Sequence, residues 1–465
     1  MTEWLPRDAP RARRRGFIGA YLGWLFDGYE TFATVLVART AVDDLVGPHT
    51  AVDHPLYVGA ILSTTLVSWA AGGLASGVLA DRFGRRRVLL WSILWYAVFA
   101  GLTAVSPTYV ALIVFRFLTG FGMGAEWGAG SSLVSEISDP RRRGVRIALL
   151  QSGFGLGFLV ATGAWQVINV GGSADWRWMY LLGVAPALLA GFIRRGVSDP
   201  QLWNDSDRRR RDSIDRLARG EAISGIDREL ARPLLVQLLG RAKFRNQVAV
   251  LLVGALASTL GWWAVSTWIP AFTGQKLGGR VSDLPTWITL VNVAYNLAGV
   301  IGYLAMGWLA DSVGRKPVIT AYFAASVVTT PLLFHLPESC AALIGFAALN
   351  GFFTLGQWTW MALYPSEVFP TQIRATAMTV VFNTARLAAA AGALLTPVLI
   401  TAFGSISTAA IVIGCTSYAL GMFVAPFLGP ETRGRALPGV HTPTDSDREQ
   451  AEKPDLPHGV AVAEA

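Results

Sequence analysis

The chain has 465 residues, of which 52% are hydrophobic and only 15% charged, with a mean hydropathy of +0.44. Soluble domains carry about a quarter charged residues, whereas here the charges crowd into short clusters between apolar runs long enough to cross a bilayer as helices. That pattern excludes a soluble enzyme, a disulfide scaffold and a disordered chain, and the net charge of +8 reads as loop orientation rather than as a nucleic-acid surface.

Taken in chain order, apolar spans fall at roughly 17–40, 56–80, 87–106, 108–137, 144–170 and 177–195, then at 246–273, 285–310, 317–336, 339–365, 375–402 and 405–428, which predicts twelve transmembrane helices. The first follows Arg13, Arg14 and Arg15 but carries Asp27 and Glu30 and lacks a small-residue cleavage site, so it is expected to stay in the fold rather than leave as a signal peptide. Of the 39 Lys and Arg residues, 33 fall on the side of the termini, 4 on the other, and two, Arg116 and Arg386, within spans. Cations are retained on the cytoplasmic face, so both termini and the central loop are expected inside, in a plasma (cell inner) membrane. The chain then divides into an N-terminal six-helix bundle (1–195), a cytoplasmic loop (196–245), a C-terminal six-helix bundle (246–428) and a tail (429–465). A short amphipathic helix is expected near Ile223–Leu239. The tail, polar and without periodicity, is expected to be disordered. Cys340 and Cys415 lack metal-ligand spacing and read as packing residues.

The halves repeat. Gly77–Val88 (GVLADRFGRRRV) and Gly307–Val318 (GWLADSVGRKPV) share seven of twelve positions at an offset of 230. Leu118–Arg143 matches Leu349–Arg374 at an offset of 231, pairing Trp127 with Trp358, Glu136 with Glu367 and Arg143 with Arg374. Duplicated bundles with a midplane substrate site are a common build for secondary transporters. No metalloprotease, nucleophile-elbow or phosphate-loop motif is present, so no enzyme activity is expected.

Ionisable groups within hydrocarbon cost about 2.5–3.5 kcal/mol on insertion scales and default to function. Asp27 lies near the midplane of the first span, and Glu30, three residues on, shares its face. Two carboxylates so close resist joint ionisation, so one is expected to hold a proton near neutral pH. Arg386 lies at a similar depth in the other half and offers a fork matching a carboxylate, with Asn383 one turn before it. It reads as a substrate-anion anchor or as the ion-pair partner of Asp27. Glu126 stands where the repeat has Gln357 and is a second proton-coupling candidate. Arg116, about 15 Å along the same helix, is too far to pair with it and is expected to pair across helices or bind substrate. Gln151, Gln357, Trp127 and Trp358 are candidates for a polar and aromatic lining.

The doubled GxLaDrxGRr pattern resembles the signature loop of the major facilitator superfamily, over nearly the whole chain to about residue 430. Within it, DGYE at Asp27–Glu30, GFGMGAEWG at Gly120–Gly128, LLQSGFGLG at Leu149–Gly157 and FNTAR at Phe382–Arg386 are similar to the sialate and carboxylate:proton symporters. These usually carry Asp where this chain has Glu30, and Glu serves the same proton chemistry at longer reach. The resemblance implies an all-α twelve-helix membrane protein that takes up a small organic anion with a proton. No cofactor beyond the coupling ion and no nucleic-acid partner is expected, and a monomer is. It also implies that Asp81, Arg85 and Arg86, with Asp311, Arg315 and Lys316, form inner-gate ion pairs completed by Glu136 with Arg143 and Glu367 with Arg374. Aromatic-acid:proton symport is the alternative within the family, followed by proton-coupled sugar or drug transport. A transporter-like sensor is remote, because no large signalling segment is present.

Overall fold

The computed structural model describes residues 10–47, 53–169 and 175–439. The N-terminal half holds α1 (Pro10–Val46), α2 (Asp53–Phe83), α3 (Arg85–Ala104), α4 (Tyr109–Ile137), α5 (Arg143–Ile168), α6 (Arg177–Leu182) and α7 (Pro186–Gly196). Three short helices follow: α8 (Gln201–Ala218), α9 (Gly225–Leu230) and α10 (Leu234–Gly240). The C-terminal half holds α11 (Ala242–Ser266), α12 (Ile269–Leu277), α13 (Leu284–Ser312), α14 (Arg315–His335), α15 (Cys340–Gly356), α16 (Trp358–Val368), α17 (Arg374–Phe403) and α18 (Ile406–Val424).

Among the described residues nine helical stretches are long and apolar enough to cross a membrane, and α6 with α7 adds a shorter one, Arg177–Ile193. The remaining two spans are α1, whose apolar run is interrupted by Asp27 and Glu30, and α17. Three spans are broken. Pro186 opens α7 and Pro270 lies in the first turn of α12, where a missing N–H costs nothing, and α15 gives way to α16 at Gln357. Large apolar side chains face outward, among them Trp91, Trp308, Phe423 and Phe427, as a lipid solvent favours.

The halves meet along α2 against α17 and α5 against α13. Close approach is built into the backbone: a Cβ on Gly73 would collide with the Asn383 amide, and one on Gly144 would meet Gly307 O at 2.6 Å. These approaches run from the face carrying the termini, called the basic face below, up to the middle of the bundle.

Two expectations fail outside the bundle. The helix expected near Ile223–Leu239 is divided into α9 and α10, because Pro233 removes a backbone donor. The tail is not structureless from residue 429. Tyr364 Oη donates to Pro430 O at 2.8 Å, Thr432 Oγ1 to Glu367 at 2.6 Å, and Arg374 Nη2 to Pro438 O at 2.8 Å. Composition missed this because the segment is held by polar contacts to buried charges, not by apolar periodicity. Residues 440–465 lie outside the described part.

Candidate gate and substrate site

At the basic face each half supplies the same parts. Arg85, first residue of α3, forks onto Glu136 at 2.9 and 3.2 Å, reaches Asp81 at 2.9 Å, and donates to Ala80 O. Its repeat equivalent Arg315 opens α14, forks onto Glu367 at 2.8 and 3.0 Å, and reaches Asp311 at 3.0 Å. The two parts then exchange partners. Arg374 of the C-terminal half donates to Glu136 at 2.7 Å, and Arg143 of the N-terminal half to Glu367 at 3.0 Å. The pairing expected within each half, Glu136 with Arg143 and Glu367 with Arg374, is therefore corrected to a crossed one. The reason is geometric: Arg143 and Arg374 open α5 and α17, the helices that lean across the interface. Asp81 also crosses, accepting from the backbone N–H of Ala375 and Thr376, as Asp311 does from Gly144 and Val145.

Arg86 and Lys316 differ from expectation in how they take part. Their backbone N–H groups donate to Asp199 and Glu431, acids just past the sixth and twelfth spans that sequence reasoning did not single out. Burial pushes the Asp199 carboxyl above the usual range despite its backbone donors. For Glu431 burial acts in the same direction, but the N–H groups of Arg315, Lys316, Arg433 and Thr432 outweigh it and hold the carboxyl below that range.

In the middle of the bundle the halves differ. Asp27 is fully buried on α1, and neither of its carboxylate oxygens has a hydrogen-bond partner among the described residues. Its electrostatic neighbours are Glu126 of α4, Arg386 of α17 and, more weakly, Glu30. Glu126 packs on α1 one turn before Asp27, where a Cβ on Gly23 would collide with its carboxylate, and Tyr96 faces it. The expected pair of Asp27 with Glu30 is thus replaced by Asp27 with Glu126. Glu30 points instead at Arg116, at 2.8 Å with both side chains fully buried, and Arg116 lies over the Tyr180 ring. Arg116 thus faces Glu30 and Tyr180, the cross-helix pairing that was one of its two expected roles.

Arg386 reaches out of the C-terminal half, its guanidinium over Trp69 at 3.8 Å and over Phe382 at 4.7 Å from the ring centroids. Phe382 stacks on Trp127 at 3.9 Å and meets Trp358 edge-on at 5.7 Å. Trp127 donates to Gln151, which reaches across to Trp358 O. Gln151, Trp127 and Trp358 are thus brought together with Arg386. Trp24 adds a further ring against Trp69, Trp127 and Phe154. Trp24, Trp69 and Phe154 were missed, although Trp24 sits three residues before Asp27, on its face. Two expected lining residues are elsewhere. Asn383 gives its amide to Thr379 O and packs on Gly73, and Gln357 is engaged inside the C-terminal half by Ser258 and Thr354 O. Among the described residues the indole N–H groups of Trp24, Trp69 and Trp358, with Arg386 Nη1, are buried without hydrogen-bond partners.

Residues 30–290 and 281–456 match the family model of the Major Facilitator Superfamily. The chain is 30% identical to a probable 4-methylmuconolactone transporter of Cupriavidus pinatubonensis over 95% of each chain, and 24% identical to the sialic acid transporter NanX of Escherichia coli over 86% of this chain and 89% of that one. Its fold matches a solved structure of the proton:xylose symporter XylE bound to 6-bromo-6-deoxy-D-glucose, with a TM-score of 0.72 at 18% identity over 92% and 98% of the two chains. With twelve spans in two repeated halves and a family match along nearly the whole sequence, the chain belongs to the Major Facilitator Superfamily and is a membrane transporter, not an enzyme.

Proposed function

We propose that the protein imports a small planar organic anion together with a proton across the cytoplasmic membrane, with its basic face and both termini inside. The observation that carries this is a charge balance. At the gate four buried arginines meet four acids, and Arg116 meets Glu30; in the middle, among the described residues, Asp27 and Glu126 are neighbouring acids and a single cation, Arg386, acts on Asp27. An isolated carboxylate in a low dielectric is too costly to keep, so the unmatched acid takes up a proton. With Asp27 ionised, Arg386 is engaged electrostatically and an incoming carboxylate meets a site of net negative charge. Once Asp27 is protonated, Arg386 is free to hold the substrate. The proton also cancels the work of moving an anion inward, about 2.3 kcal/mol per charge per 100 mV.

The aromatic lining supports a planar ligand. Trp24, Trp69, Trp127, Phe382 and Trp358 offer ring faces, and among the described residues the indole N–H groups of Trp24, Trp69 and Trp358 lack acceptors. An unsaturated or aromatic monocarboxylate bearing an oxygen or ring nitrogen fits better than a polyhydroxylated sialic acid, which would need many more polar partners. The first relative named above is a probable transporter of 4-methylmuconolactone, an unsaturated lactone acid. The gate then holds the cytoplasmic ends together, and the halves rock about the central site.

Uptake of candidate acids into proteoliposomes with an imposed pH gradient tests the coupling. Expected is accumulation that follows the gradient in the parent chain, while Asp27→Asn exchanges substrate across the membrane without accumulating it. Accumulation by Asp27→Asn sinks this assignment. A second reading places the proton on Glu30, favoured because, among the described residues, Glu30 Oε1 and Arg116 Nε and Nη2 are buried without hydrogen-bond partners, leaving an ion pair that protonation could release. Glu30→Gln then becomes the variant that exchanges without accumulating.

A further inference from the structure

The arginines of the basic face fall into two groups. Five of those in α8 and its loop are paired: Arg209 with Asp227, Arg210 and Arg211 with Asp207, and Arg216 and Arg219 with Glu221. Those around the start of α1 and the α4–α5 connection are not. Arg13, Arg14, Arg141, Arg142 and Arg146 line one cavity of about 730 Å³, floored by Phe17, and among the described residues none of the five lies within ion-pair distance of a carboxylate. The single acid in the wall, Asp139, accepts the backbone N–H of Arg141 at 2.8 Å. Five like charges around a shared cavity repel unless an anion sits among them. The orientation rule requires cations on this face but not that they converge, so topology alone does not account for the arrangement.

A second cavity of about 400 Å³ shares Arg141 and Arg142 and continues to Val145, Trp308, Asp311 and Ser312, with the Asp311 carboxylate held by Arg315 and by the backbone N–H groups of Gly144 and Val145. Trp308 is 62% exposed on α13, at the level where an outward tryptophan meets headgroups. The chemistry on offer is therefore forked guanidinium donors for a phosphate, beside an apolar rim for the start of an acyl chain. We propose that this double cavity binds the phosphate of an anionic phospholipid. Its second chamber is walled by the α4–α5 connection on one side and α13 on the other, so it is intact only while Arg143 and Glu367 keep the halves together. An occupant therefore favours the state with the basic face closed.

The test uses the full chain in detergent, titrated with phosphatidylglycerol and separately with phosphatidylcholine, and bound lipid is counted by native mass spectrometry. Each arginine near a charged surface is worth about fivefold in occupancy, so Arg141→Gln/Arg142→Gln/Arg146→Gln is expected to retain phosphatidylglycerol at least about tenfold less well than the parent. Arg209→Gln/Arg216→Gln, which touches paired arginines, is expected to match the parent. Equal retention by the triple variant, or no preference for phosphatidylglycerol over phosphatidylcholine in the parent, overturns the proposal. Displacement of the lipid by millimolar inorganic phosphate would assign the cavity to a free anion and overturn the lipid reading. A photo-reactive phosphatidylglycerol on the unmodified chain tests the site without depending on how a variant folds: labelling within residues 13–17 or 141–146 is expected, and labelling confined elsewhere refutes it.

Discussion

The gate and the centre of this bundle obey opposite rules. At the gate duplication has been kept: Asp81, Arg85, Glu136 and Arg374 recur as Asp311, Arg315, Glu367 and Arg143, with the same partners in each copy. In the middle duplication has been broken, with Glu126 facing one half and neutral Gln357 in the other, and Arg386 without an arginine counterpart. A lock between two similar halves works best when both halves close it equally. A site that binds one anion and one proton needs a cation on one side and an acid on the other.

The largest effect is expected where the asymmetry is greatest. Arg386→Ala removes the one cation available to a carboxylate and should abolish uptake, whereas Arg386→Lys, which keeps the charge but loses the fork, should retain a small part. Substrate counterflow measures both. Undiminished uptake by Arg386→Ala would turn the centre into a site for neutral solutes and dissolve the contrast with the gate.

Next come the two copies of the lock. Glu136→Gln strands Arg85 and Arg374 with half their partners, and Glu367→Gln does the same to Arg315 and Arg143. Removing one partner of a buried ion pair costs about 3–5 kcal/mol, discounted here because Asp81 and Asp311 remain. The symmetry predicts losses of similar size in thermal melting, and similar gains in labelling of a cysteine placed on the inner face of α5 or α17. A loss in one variant alone would show that the halves do not share the load.

A milder exchange tests the broken repeat directly. Glu126→Gln makes the two halves alike at that position and leaves Asp27 as the only central acid. Uptake should persist with a weakened or displaced pH response, because Asp27 can still take up and release a proton while Arg386 lies nearby. Loss of coupling as complete as that expected of Asp27→Asn would make Glu126 the primary proton carrier.

This contrast also explains what was legible in sequence. The spans follow from hydropathy, and the matched charged residues of the basic face from the repeat, because each is a pattern over many residues. The centre depends on which way single side chains turn. Asp27 and Glu30 share a helix face by spacing, yet Glu30 turns to Arg116 on α4 while Asp27 turns to Glu126 and Arg386, and periodicity within α1 cannot separate these. Trp69 and Phe382 became visible only once α2 lay against α17. The tail through Pro438 escaped for a third reason, since hydrogen bonds from Arg374 and Thr371 to a carbonyl leave no trace in composition.

The smallest effects concern Asp199 and Glu431, which cap the gate helices in equivalent places yet titrate in opposite senses. For Glu431 the backbone donors outweigh burial, so its folded carboxyl lies below the usual range. Its contribution to stability is present above that range and is lost as pH falls through the depressed value. For Asp199 burial wins, and its folded carboxyl lies above the usual range. The fold then favours the protonated acid, and that contribution is present at low pH and lost as pH rises through the elevated value. Both groups are partly exposed, so solvent screening keeps the effects small. Melting of the detergent-solubilised chain across the acid range should therefore separate them: Glu431→Gln should flatten the loss seen on the acid side, and Asp199→Asn the drift seen as pH climbs past the usual carboxylate range. The same change from both variants would mean that the two caps are electrostatically equivalent, and the symmetry of the gate would then extend to its titration as well as to its geometry.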